Sequence, residues 1–167
     1  MPDLFENKLT TRKGDVGESL VDKMLREKGF VIYKPEGGQA HAFDRLAIKD
    51  KEILMIAEVK AKAKRKYFPD TGIDFRHYKE YKNIMKKHNL EVILFFVDEE
   101  MGKIYGGKLS EIEVINNFKV NNKDVTYPKI EKNIIYFHIE KMKEYADLKR
   151  ADVLNLEALT TKKQAYK

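Results

Sequence analysis

The sequence has no cysteine anywhere in its 167 residues, so no disulfide framework and no thiolate zinc site can form. Only four scattered histidines remain as neutral metal ligands, and any metal would be held by oxygen. Long apolar runs are missing as well. The longest, Val92 to Val97, falls far short of the roughly 20 residues that span a bilayer, and the opening MPDLFENKLTTRKGD has no apolar signal region. A cytoplasmic protein without membrane association is the expectation. Repeats, low-complexity tracts and Pro/Gly/Ser linkers are also lacking, which predicts one domain over residues 1–167 with a less regular C-terminal extension from about residue 109.

What the chain does have is charge around an adequate core. Hydrophobic residues make up 43% and charged residues 36%, with a formal net charge of +6 and a pI near 9.2, a balance that favours a polyanionic partner without naming one. The basic residues are uneven: Lys60, Lys62, Lys64, Arg65 and Lys66 crowd one short stretch, and Lys79, Lys82, Lys86 and Lys87 follow.

Hydrophobic periodicity predicts a first helix over about 11–28, with Val16, Leu20, Val21, Met24 and Leu25 on one face, Gly17 in its middle and Gly29 at its end. Strands are expected at 30–34, 41–48 and 53–60, the last two joined by a charged turn as a hairpin. A loop over 68–72 should lead to Asp74, the N-cap of a helix to about His88 that carries Phe75, Tyr78, Tyr81 and Met85 on one face. Glu91 to Val97 reads as a buried central strand and Lys103 to Lys108 as the next. Ser110 and Glu113 read as a capping box opening a short helix. Beyond it, 133–139 is β-prone, while 140–148 and 152–159 look helical. The order predicts an α/β domain with a mixed central sheet flanked by helices.

Three Glu-x-Lys tripeptides occur, at Glu6, Glu58 and Glu80, so spacing alone selects none. Context does. Only Glu58 and Lys60 end an apolar strand, sharing a face with Leu54 and Ile56, and Asp44 stands likewise among Ala42, Leu46 and Ile48 on the preceding strand. Buried charge is costly unless paired, neutralised or bound to metal. A hairpin loop with an odd number of residues would set Asp44 opposite Glu58, side chains about 5 Å apart, a pair that a divalent cation would reconcile. Lys60 would then reach a water or phosphate oxygen beside that cation. Such a set suits phosphodiester hydrolysis.

The segments GDVGESL (14–20), FDRLAI (43–48) and ILMIAEVKAK (53–62) resemble the PD-(D/E)XK nuclease superfamily, most nearly its small archaeal-type Holliday-junction resolvases, over roughly residues 11–97. The resemblance implies a restriction-endonuclease-like fold and Mg²⁺- or Mn²⁺-dependent cleavage of nucleic acid, expected to be DNA, with RNA left open. It makes Asp44 and Glu58 metal ligands, Lys60 the catalytic lysine and Glu18 the assisting glutamate of the first helix. Phe43 departs from the motif, standing where the family name places proline. Lys62, Lys64, Arg65 and Lys66 become candidate phosphate contacts, and His77, Lys79 or Lys82 the polar residue that members often carry on the following helix. Plainer readings stand beside these: Glu18 on a solvated flank, His77 serving its own helix, Tyr78 and Tyr81 as core, and the basic run as a solvated loop. A nucleic-acid-binding module that does no chemistry is the alternative function. A homodimer is implied by analogy with resolvases, without a legible interface.

Overall fold

A computed structural model describes residues 8–36, 43–51 and 53–160. Helix α1 (Leu9–Glu27) leads into β1 (Val31–Tyr33), β2 (Arg45–Lys49) and β3 (Ile53–Ala61). Next come β4 (Asp70–Asp74), α2 (Phe75–His88), β5 (Glu91–Asp98), β6 (Lys103–Lys108) and the single turn α3 (Leu109–Ile112). The last third holds β7 (Asn116–Val120), β8 (Lys123–Tyr127), β9 (Lys129–Glu131), β10 (Ile134–His138), a 3₁₀ turn, β11 (Lys143–Asp147) and α4 (Arg150–Ala158).

The central sheet runs β1-β2-β3-β5-β6-β11. It is mixed: β3 and β5 are parallel, and every other neighbouring pair is antiparallel. Strand β5 lies in the middle and is buried from Val92 to Asp98, because helices cover both faces and leave no polar side to alternate with. On one face α1 contributes Val21, Met24 and Leu25 to a core with Ala57, Val59, Phe95 and Val97, joined by Leu156 of α4. On the other, Tyr81 of α2 packs with Ile56, Leu94 and Phe96, together with Ile135 and Phe137 of the small sheet β4-β10-β9. Gly17 lets α1 lie close on the sheet, since a Cβ there would come 2.7 Å from the Cβ of Ala61. Among the described residues no helix is long and apolar enough to cross a membrane.

Several sequence expectations need correction. The strand anticipated over 41–48 runs from Arg45 to Lys49; His41 and Ala42 lie outside the described residues. Asp70 to Gly72, taken as loop, begins β4, where Gly72 passes so close to β10 that a Cβ would meet the Ile135 carbonyl oxygen at 2.2 Å. No capping box forms: α3 starts after Lys108 without a side-chain cap, Ser110 Oγ donates to Glu91 Oε2 at 2.6 Å, and Glu113 accepts from the Tyr78 hydroxyl at 2.7 Å. Residues 140–148 form no α-helix: a 3₁₀ turn (Ile139–Lys141) leads into a strand. Their Lys, Met, Glu and Ala favour helix locally, but pairing with the edge of β6 and burial of Tyr145 against Phe95 prevail, and β11 forms.

Candidate active site

The β2–β3 hairpin builds the site. Lys49 pairs with Ile53, leaving residues 50, 51 and 52 as an odd-numbered loop in which Asp50 and Lys51 take left-handed conformations (φ 56° and 61°). The ladder runs to Arg45 opposite Ala57, and one step further Asp44 meets Glu58. Asp44 Oδ2 accepts from the Val59 amide at 2.9 Å, and the Asp44 amide donates to Glu58 Oε2 at 3.3 Å. Lys60 Nζ donates to Glu58 Oε1 at 2.8 Å. Glu58 is buried, and burial followed by the neighbouring charge of Glu58 holds the Tyr81 phenol on α2 well above its ordinary pKa. The sequence offered Tyr81 only as core; its spacing with Phe75 and Met85 hides the polar end that a buried tyrosine has to satisfy.

Burial, then the neighbouring Glu58 and more weakly Glu18, push Asp44 up from 3.8 to about 6, against the opposing pull of the Val59 amide and Lys60. A pair of carboxylates in this state is short of positive charge. Among the described residues no cluster of three or more His, Asp or Glu could hold a metal ion, so these residues offer the pair Asp44 and Glu58. That count fits Mg²⁺ or Mn²⁺, because Mg²⁺ typically keeps several waters and is held by one or two carboxylates plus substrate phosphate. Asp44 and Glu58 are the residues that would hold it.

Glu18 is about a third exposed, and its carboxylate is engaged by Arg45. Its Oε2 accepts from Arg45 Nη2 at 2.7 Å, and Arg45, fully buried beside Asp44, also ion-pairs with Asp22 at 2.7 Å. Asp22 in turn is paired with Lys34. A buried arginine inside FDRLAI is visible in the sequence, but its partners come from another element and spacing does not reveal them.

The expected phosphate contacts divide into two groups. Lys62 Nζ donates to the Gly72 carbonyl at 2.9 Å, and burial followed by the charge of Lys60 lowers its pKa to about 8. Arg65 bonds Asp70 through two nitrogens at 2.6 Å each and also reaches Glu131, while Lys82 is paired with Glu113. These three are tied to the protein. Lys64 and Lys66 have no ion-pair partner among the described residues; Lys79 lies over the Phe75 ring at 5.2 Å, and His77 sits beside Tyr81 with ring centroids 6.3 Å apart.

No protein-family model matches the sequence, and no curated protein does. Solved structures match. That of Archaeoglobus fulgidus Hjc, a Holliday junction resolvase from an archaeal hyperthermophile, aligns with a TM-score of 0.51 over 84% of this chain and 98% of that one, at 12% sequence identity. The chain shares that protein's fold, a mixed central sheet flanked by helices. At that identity the similarity reaches the fold alone, and the site has to be argued from its own residues.

Proposed function

We propose that the chain is a divalent-metal-dependent endonuclease that hydrolyses phosphodiester bonds in DNA. The observation that carries this reading is the juxtaposition of Asp44 and Glu58 at the end of a buried face, with the Lys60 ammonium on Glu58. Mg²⁺ or Mn²⁺, when bound, supplies charge stabilisation at the scissile phosphate and an acidified water. Asp44 and Glu58 hold that ion. The Val59 amide fixes one Asp44 oxygen and the Asp44 amide one Glu58 oxygen, which limits the reorganisation of both carboxylates on binding. Lys60, about a quarter exposed, can leave Glu58 for a phosphate oxygen or the attacking water and offset the negative charge that develops there. Lys64, Lys66 and Lys79 supply backbone contacts without sequence information. Branched DNA is the substrate class to try first, since the structurally similar Hjc is a Holliday junction resolvase, and symmetric cleavage of a junction calls for a homodimer.

A second reading, a nucleic-acid-binding module of the same fold without chemistry, is favoured by the engagement of Glu18 with Arg45, which withholds a third carboxylate from the site. One experiment separates the two. Labelled duplex, single-stranded, flapped and four-way-junction DNA, with RNA alongside, is incubated with Mg²⁺ or Mn²⁺ and then with EDTA. Metal-dependent scission of DNA supports the nuclease. Salt-sensitive binding without scission in either metal supports the module.

A further inference from the structure

Tyr67 lies in the loop that carries the chain from β3, just past Lys60, to β4, and it is 72% exposed. A single exposed ring means little on its own. Here three further observations bear on it. The loop is fixed rather than slack: the Arg65 amide donates to the Asp70 carbonyl at 3.0 Å, and its guanidinium is bonded to Asp70 and stacked between the rings of Tyr136 and Phe68, 3.8 and 4.3 Å from their centroids. Asp70, fully buried, is held in addition by the Tyr127 hydroxyl at 2.6 Å, and the Ile139 amide donates to the Pro69 carbonyl at 2.9 Å. Arg65 therefore braces the loop and leaves the ring beyond it in solvent. One cation lies beside that ring: the Lys66 ammonium is 5.4 Å from its centroid. The residues just before Tyr67, Lys62 to Lys66, line an open pocket of about 340 Å³ together with Glu99 and Glu100, the former already paired with Lys13.

A firmly held aromatic face next to Lys64 and Lys66, which have no ion-pair partner among the described residues, is an arrangement suited to unpaired bases, since stacking accepts any base and the lysines can follow the backbone. We propose that Tyr67 is a base-stacking residue that engages an unstacked nucleotide, so that the chain favours DNA with a strand discontinuity or branch over continuous duplex. This rests on the reading of the chain as a DNA-acting nuclease and adds the feature by which it would select substrate. Continuous duplex keeps its bases stacked on each other and offers Tyr67 only phosphates; a branch point or flap offers a free π-face. Tyr67 lies seven residues beyond Lys60, at most about 25 Å along an extended chain, so one DNA can occupy both.

The chain contains no tryptophan, so Tyr67→Trp in the full-length protein introduces a single indole reporter. The variant is titrated in EDTA, where no cleavage occurs, with continuous duplex and with flapped and four-way-junction DNA, while anisotropy of the labelled DNA reports binding independently. Expected are strong quenching of the indole by branched DNA and little by duplex. Tyr67→Ala should weaken branched-DNA binding by about 5- to 100-fold and duplex binding by less than about 2-fold, and Tyr67→Phe should restore the parent value. Binding of branched DNA without quenching, or an equal loss for both DNAs in Tyr67→Ala, overturns the inference and leaves the nuclease reading intact if Mg²⁺-dependent cleavage persists. Absence of both binding and cleavage removes the two together.

Discussion

The Asp44 amide donates to the Glu58 carboxylate while the Asp44 carboxylate accepts from the amide beside Glu58, so each residue orients the other across the hairpin. Removing either charge with its shape kept should abolish metal-dependent cleavage without unfolding the chain. Asp44→Asn and Glu58→Gln are expected to lower turnover by at least about a thousand-fold, whereas Lys60→Met should keep metal binding, read by calorimetry, and lose turnover by a comparable factor. Glu80→Gln is the control from the helical tripeptide and should cut like the parent. Parent-like cleavage by the Asp44 and Glu58 variants would dismiss this site as the seat of the chemistry.

The elevated pKa of Asp44 makes a signed prediction about stability. Its folded value, about 6, lies above the ordinary 3.8, so the ionised carboxylate opposes folding. The penalty is absent below pH about 4, grows through the window up to about 6, and is complete above it, reaching about 2 to 3 kcal/mol for the metal-free protein. Asp44→Asn should therefore melt higher than the parent near neutral pH and alike near pH 4. Divalent cation should raise the parent's melting temperature above pH 6 and leave that of the variant nearly unchanged. Coincident melting curves for parent and variant across pH 4 to 8 would show that Asp44 ionises without strain.

Arg45 is fully buried with a carboxylate on either side of its guanidinium. Arg45→Met fills similar space but strands Asp22, which then has only Lys34, and releases Glu18. Breaking a buried pair in this way typically costs about 3 to 5 kcal/mol. Glu18→Gln should cost far less, because Glu18 is partly exposed and Arg45 keeps Asp22. Urea unfolding of the two variants checks the order; equal losses would mean that Arg45 is anchored by something other than these carboxylates.

The site was legible to the extent that it depends on strand periodicity. Alternation along 53–60 and the parity of a three-residue loop are enough to put Asp44 opposite Glu58, and the ladder has that register. What the sequence hid are contacts made between distant elements. Tyr81 lying beside Glu58, Arg45 reaching Glu18 and Asp22, and the retention of Lys62, Arg65 and Lys82 by Gly72, Asp70 and Glu113 all join segments whose spatial relation no local pattern encodes. The same holds for the fold. Apart from β4, which has no alternation to mark it, the elements up to β6 have strong periodicity, whereas the β7–β8 hairpin is short and largely exposed on both faces, and β11 is built from helix-favouring residues recruited to a sheet edge.

Two glycines of α1 make opposite predictions from the same helix. Gly17 is buried against the sheet, where a Cβ would press on Ala61, the residue after Lys60, at 2.7 Å, with the Ala61 Cα at 3.5 Å. Neither partner is a flexible side chain that can swing away, so helix or strand has to shift. Gly17→Ala should already destabilise, and Gly17→Leu should cost about 1 to 3 kcal/mol or more and depress cleavage by displacing the end of β3 that carries Lys60. At Gly14 a Cβ meets nothing within 4 Å. Gly14→Ala therefore gains helix propensity and reduces the freedom of the unfolded chain, raising stability by about 0.4 to 1 kcal/mol with activity unchanged. Thermal melts and a single cleavage assay on the pair decide the matter. If Gly17→Ala were stabilising like Gly14→Ala, α1 would not be pressed against β3, and the close approach of the first helix to that strand would have to be abandoned.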